Sequence, residues 1–175
     1  MRNTVKKKAA SRAGFTLAEA LITLLIVLMV SAIVAAGLPA AQRAYEKVVD
    51  GANAQLLLST TVTCLREELG AAVEVEPAED GKSVSYVSGV TGYPSVIGNS
   101  TEGIQVSRER PDASDTQTAL LVTAQAATKG MTASFSSVSC SGGVVTISEL
   151  TVKKGGRTLA SLAKLQIRAI ALPES

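Results

Sequence analysis

The sequence predicts an α+β protein with one long N-terminal helix packed on an antiparallel β-sheet head. Residues 20–42 carry no charge, and apolar side chains then recur every three or four positions as far as Leu69, which is typical of a helix. After Gly70, apolar and polar residues alternate between turns, which is typical of strands. A helix followed by a run of strands indicates the α+β class. We therefore divide the 175 residues into a leader at 1–14, a membrane-spanning helix at 15–38, an amphipathic helix at 39–70 and a β-rich head at 71–175.

The first helix follows a basic leader and contains one acid. The leader has five basic and no acidic residues before Gly14, and Phe15 comes next. Residues 15–38 predict a helix of about 36 Å, which is enough to span a hydrocarbon core of about 30 Å. Glu19 is the only charged residue in this segment. Because a carboxylate costs about 2.5–3.5 kcal/mol at the centre of a bilayer, we expect Glu19 to have a function.

Two ordinary explanations of this N-terminus account for fewer of its features. A secretory signal peptide has an apolar region of about 7–15 residues, shorter than the one here, although small residues at 32–37 offer a cleavage site. A plain membrane anchor fits the apolar run and its basic flank. An anchor explains neither the Gly14–Phe15 boundary nor Glu19.

The segment Gly14-Phe15-Thr16-Leu17-Ala18-Glu19, with its basic leader and apolar run, resembles the processing site of type IV prepilins and pseudopilins. The resemblance is strong over about residues 6–45. It implies cleavage between Gly14 and Phe15 by a prepilin peptidase, N-methylation of Phe15, and assembly into a helical filament. It further implies that Glu19 assists assembly by pairing with the N-terminal amine of a neighbouring subunit.

The second half of the helix is predicted to be amphipathic. Gly37 and Pro39 interrupt the apolar run, and Pro39 is expected to kink the helix because it lacks a backbone donor. Gly70 is a plausible last residue. The family resemblance implies that an apolar stripe of this half packs on a sheet. The candidate positions form two series, Tyr45, Val48, Ala52 and Leu56, and then Leu58, Val62, Leu65 and Leu69.

The head is predicted to be a mostly meandering antiparallel sheet. Residues 73–76 and 83–87 alternate in polarity around a Pro- and Gly-containing turn, so they predict a hairpin. Gly142-Gly143 and Gly155-Gly156 are predicted turns. Segments 88–103 and 108–117 are predicted loops. The remaining candidate strands are 104–108, 118–124, 132–139, 144–152 and 162–170, of which the last two form a closing antiparallel pair.

Composition argues against catalysis. The chain has no His, which excludes His-based nucleophile activation and His metal sites. It has no Gly-rich phosphate loop, and its acidic loops do not match an EF-hand. Removal of the leader leaves 12 basic against 15 acidic residues, a poor balance for general binding of nucleic acid. We therefore expect no enzyme activity, no metal, no cofactor and no specific nucleic-acid partner.

Two cysteines, Cys64 and Cys140, lie near the end of the helix and the end of a strand. An even count in an exported domain favours a disulfide between them. The alternative is two small residues buried in the apolar interior.

The expected function is that of a non-catalytic subunit of a type IV pilus-like filament. Its expected partners are prepilin peptidase, other pilin subunits, an inner-membrane assembly platform and, before assembly, membrane lipid. The leader is expected in the cytoplasm and the head outside the membrane. Segment 65–71 resembles one found in some minor pilins and pseudopilins, which favours a low-abundance subunit, although its charges fit a solvated helix face equally well. Two alternatives remain open, a pseudopilin of a type II secretion or competence system and a ligand-binding tip subunit.

Overall fold

The computed structural model describes residues 16–109, 116–123 and 130–169, and it shows an α+β chain with one helix followed by nine strands. The chain divides between Glu46 and Lys47 into two compact units. The elements are α1 (Leu17–Gly70), β1 (Ala72–Pro77), β2 (Ser83–Ser88), β3 (Pro94–Asn99), β4 (Ile104–Glu109), β5 (Thr116–Leu120), β6 (Met131–Ser134), β7 (Ser137–Ser141), β8 (Val144–Lys154) and β9 (Arg157–Arg168).

The helix α1 continues through Pro39 and ends at Gly70 as predicted. Helical structure is thus continuous on both sides of Pro39, and the kink expected at this residue stays a prediction. Proline removes one hydrogen-bond donor from the helix, and the Leu and Ala residues around it are strong helix formers, so one missing bond does not end the helix.

The first five strands form one antiparallel meander in the order β1-β2-β3-β4-β5. The predicted hairpin of β1 and β2 is confirmed, with a register shift between Val73 and Glu76. This bulge adds one residue to β1, so that Val75 is buried while Glu76 stands opposite Ser85 on the other face. Glu74, inside the bulge, has a φ of 54°.

The last four strands form a second sheet, whereas the sequence predicted a single one. Strand β8 pairs with β9 along one edge and with β7 and then β6 along the other. The predicted closing pair is thus confirmed. Both predicted glycine turns are two-residue hairpin turns, in which every central glycine has a positive φ of 55–81°. This geometry is typical of type I′ turns, which only glycine and a few polar residues tolerate.

The core of the second unit lies between the C-terminal part of α1 and the two sheets. The helical residues that enter it are Ala54, Leu57, Leu58, Thr61, Leu65 and Leu69. The second apolar series of the sequence analysis therefore contributes Leu58, Leu65 and Leu69 to the core. In the first series Tyr45, Val48, Ala52 and Leu56 are all exposed, so that part of the predicted packing stripe is wrong.

Several predicted strand limits are corrected by the pairing. Residues 88–103 were predicted as a loop but contain the central strand β3, whose Ile97 is fully buried. Pro94 is the first residue of that strand, a position that proline tolerates. Segment 132–139 is split by Phe135 and Ser136 into β6 and β7. Strands β4 and β8 begin where predicted and extend one and two residues further, whereas the ends of β5 and β9 differ from the predicted limits by two to five residues.

The two sheets are joined at the split between β6 and β7. The side chain of Asn99 accepts a hydrogen bond from the Phe135 amide at 3.1 Å and donates one to the Phe135 carbonyl at 2.8 Å. The Val138 amide donates to the Gly81 carbonyl at 2.7 Å. These bonds satisfy backbone groups that the interrupted strand cannot pair with its neighbours.

Candidate assembly site

The first described turn of α1 is built around Thr16 and Glu19. The Glu19 amide donates to the Thr16 hydroxyl at 3.2 Å, and Thr16 is followed three residues later by Glu, the spacing of a capping box. The Ala20 amide also donates to the Thr16 carbonyl at 3.1 Å. The motif residues Thr16 and Glu19 therefore also specify where the helix begins. The other two predicted site residues, Gly14 and Phe15, lie outside the described residues.

The N-terminal part of α1 exposes an almost continuous apolar surface. All its large apolar side chains from Leu17, which is 82 % exposed, to Leu38 lie open. Its two mid-helix hydroxyls are satisfied internally, because Thr23 donates to the Glu19 carbonyl at 2.7 Å and Ser31 to the Val27 carbonyl at 2.8 Å. In the described residues this is the one helix long and apolar enough, by length and composition, to cross a membrane.

Glu19 is the single charge of this surface. It is exposed in the first turn of α1. Within residues 16–109, 116–123 and 130–169 its carboxylate has neither an ion-pair partner nor a side-chain hydrogen bond. Since an uncompensated carboxylate is costly at membrane depth, a cation from another molecule would stabilise it.

A polar cluster that the sequence analysis missed connects α1 to the five-stranded sheet. The Tyr86 hydroxyl donates to the Glu68 Oε2 at 2.8 Å, and the Arg108 guanidinium is paired with the Glu68 Oε1. Burial, followed by the hydrogen bond to Glu68, raises the pKa of Tyr86 well above its usual value. The only sequence signal for this cluster is that Glu68 follows Leu65 by three positions and so lies beside the buried face of the helix.

A second ion pair joins the helix to the four-stranded sheet. The Lys154 ammonium contacts both carboxylate oxygens of Asp50, at 2.7 and 2.8 Å. Both side chains are partly exposed, so this pair contributes at most about 1 kcal/mol and serves mainly to orient the β8–β9 hairpin on the helix.

The favoured disulfide is not formed in the structure. Cys64 and Cys140 are both free thiols and both partly buried. Cys140 packs against the apolar core, in agreement with the alternative of an apolar role. Burial and the neighbouring carboxylates of Glu67 and Glu68 raise the pKa of Cys64, so its thiol stays neutral and poorly nucleophilic.

A groove of about 340 Å³ lies on the open face of the five-stranded sheet. Three carboxylates, of Glu74, Glu76 and Glu109, line it together with hydroxyls of the central strands. Its floor includes Val96, a large apolar side chain that is 40 % exposed. Among the described residues, no group of three His, Cys, Asp or Glu side chains has the arrangement to hold a metal ion.

No protein-family model, curated protein or solved structure matches the chain.

Proposed function

We propose that the chain is a structural subunit of a type IV pilus-like filament, held in the cytoplasmic membrane before assembly and joined to its neighbours through the N-terminal helix. The observation that carries this proposal is the exposed apolar surface of α1 with its single carboxylate, Glu19, in the first turn. A surface of this kind is stable only in lipid or against other apolar helices. The leader is cytoplasmic, and the head lies on the other side of the membrane.

The chemistry of assembly follows from where the charge lies. Cleavage after Gly14 would create a new amine on Phe15, four residues before Glu19. In a filament, the amine of one subunit can pair with the Glu19 carboxylate of its neighbour, which removes the cost of an isolated charge in an apolar environment. The remaining apolar side chains exchange lipid contacts for contacts with neighbouring helices. Glu19 therefore favours the assembled state and opposes the isolated state in lipid.

The mature N-terminus tests this proposal directly. Mass spectrometry of the membrane fraction is expected to find a chain that begins at Phe15 with a methylated amine. Gly14→Ala is expected to be cleaved partly, and bulkier substitutions at Gly14 not at all. A mature chain that begins near Ala36 or Gly37 would indicate ordinary secretion and refute the proposal.

The role of Glu19 has its own test. Glu19→Ala is expected to insert into the membrane at least as well as the parent chain, because the cost of the buried charge disappears. Its incorporation into filaments is expected to fall, since the pairing with a neighbour's amine is lost. Glu46→Ala is the matched control, because it removes an exposed carboxylate of the same helix outside the apolar segment. Equal incorporation of the two variants would contradict the assembly role.

A further inference from the structure

The charges of the head are segregated between its two sheets. Segment 72–123, which contains the five-stranded sheet, carries eight acidic and three basic residues, whereas segment 130–169, which contains the four-stranded sheet, carries one acidic and five basic residues. The net charges are therefore −5 and +4 on two parts of one small head. Charge patterns of this kind steer association between oppositely charged faces.

The acidic side of the head has a concave face. Glu76, Ser85, Val96 and Ser107 stand opposite one another in a row across four strands, and Glu109 lies two residues beyond Ser107 on the same face. At about 4.8 Å between strands, the Cα atoms of Glu76 and Glu109 lie about 14–16 Å apart. The groove between them has an apolar floor, and the described residues that line it include no basic side chain.

The basic side of the head has a row of matching length. Lys153 follows the buried Val152 and faces outward, on the side of β8 opposite to the Lys154 that binds Asp50. Lys164 stands opposite Ser148 on β9, next to the buried Leu165, so it also faces outward. Ser148 and Lys153 are five residues apart, about 16 Å along the strand. Ser148 stands beside Lys164, and between it and Lys153 the strand carries the Thr151 hydroxyl and one exposed carboxylate, that of Glu149.

We propose that the acidic groove of one copy binds the outward face of β8 and β9 of a second copy, with Lys164 near Glu76 and Lys153 near Glu109. The acidic row runs across its strands while the basic row runs along its own. Matching the two rows therefore makes the strands of the two sheets cross at close to a right angle, one of the two common ways in which sheets pack. The contact joins different faces of the two copies, and such contacts generate open helical arrays when the rotation does not close.

This inference rests on the proposed filament function, because it names a contact between the heads of successive subunits. It also predicts runs of consecutive copies of this chain, which is the opposite of the low-abundance subunit that segment 65–71 favoured. Raising the salt concentration is expected to weaken the contact between heads. Charge pairs at the exposed rim of an interface weaken when the Debye length falls from about 10 Å at 0.1 M to about 3 Å at 1 M.

The test is disulfide cross-linking of the full-length chain in membranes. Both native cysteines are replaced by alanine, and thiols are introduced by Ser85→Cys in the groove and Ser148→Cys on the basic face. Oxidation is expected to produce dimers and longer ladders only when both substitutions are present. Ser85→Cys alone and Ser148→Cys alone are the matched controls, and a dimer from either one indicates a symmetric contact and overturns the proposal.

Charge reversal then tests the pairing. Glu76→Lys with Glu109→Lys, or Lys153→Glu with Lys164→Glu, is expected to reduce cross-linking at least about tenfold, because like charges now face one another. All four substitutions in one chain are expected to restore it, as is co-expression of the two reversed variants. Lys82→Glu, an exposed charge change outside both rows, is expected to have no effect. Melting temperatures equal to that of the parent exclude misfolding as the cause.

The contrary results are equally definite. Absence of ladders in the doubly substituted chain, insensitivity to charge reversal, or failure of the fourfold variant to restore cross-linking would overturn the proposal. The mature N-terminus is measured on the same samples. A start elsewhere than Phe15 refutes the filament function, whereas loss of cross-linking with a correct start refutes only the head-to-head contact.

Discussion

Truncation of Leu65 tests which face of the helix packs on the sheets. Leu65 is fully buried among the core residues, whereas Leu56, nine positions earlier on the same helix, is 63 % exposed. Leu65→Ala removes buried apolar surface and leaves a cavity, which together cost about 2–5 kcal/mol of the free energy of unfolding. Leu56→Ala makes the same chemical change at the surface and is expected to alter that free energy by about 0.5 kcal/mol or less.

The assay is unfolding of the full-length chain in detergent micelles, followed by circular dichroism. For a head of this size, a loss of about 3 kcal/mol lowers the melting temperature by about 10 °C. Because both substitutions introduce alanine into the same helix, differences in helix propensity cancel. If Leu56→Ala destabilised the protein as much as Leu65→Ala, the exposed series would be the packing face and the core described above would be wrong.

Three further predictions concern two glycines, Tyr86 and the two cysteines. Gly89→Ala places a Cβ against the backbone carbonyl oxygen of Ala71 and is expected to cost about 1–3 kcal/mol of stability. Gly51→Ala has free space and is expected to stabilise the helix by about 0.5–1 kcal/mol, and equal melting temperatures of the two variants would contradict this. The pKa of Tyr86 is raised in the folded state, so the folded protein keeps a proton that the unfolded chain loses above its ordinary pKa of 10.0. Stability should therefore fall above that pH by about 1.4 kcal/mol per unit, and denaturation of Tyr86→Phe should lack this dependence. Thiol labelling of the unfolded, unreduced protein is expected to find both Cys64 and Cys140 reactive, and protection of both would show a disulfide.

The elements that the sequence predicted well are those with a local signal. The end of α1 at Gly70 and the two glycine-pair hairpins depend on backbone preferences of a few adjacent residues. Strand β3 has no such signal, because its Ser, Gly and Pro residues are typical of loops and only the flanking strands β2 and β4 make it a strand. Tertiary pairing therefore overrode local propensity there.

The residues around the candidate site also differ in whether the sequence alone could mark them. The sequence could mark Glu19 as a candidate because a lone carboxylate in an apolar run is conspicuous by itself, and its role stays a prediction. The cluster of Glu68, Tyr86 and Arg108 joins residues 18 and 40 positions apart, and no spacing in the sequence marks them as neighbours. Which of the two apolar series of the helix is buried likewise depends on where the sheets lie, and no local pattern in the sequence encodes their position.

The connectivity of the five-stranded sheet has a consequence for how the head forms. Each of its strands pairs only with the strands next to it in the chain. A head that folds in order from its N-terminal to its C-terminal strands can therefore add these strands one hairpin at a time, because none of them needs a partner distant in the sequence. Contacts of short sequence separation lower the entropy lost in closing loops and favour rapid folding. The last hairpin, β8 and β9, completes the second sheet against β6 and β7, which precede it in the chain.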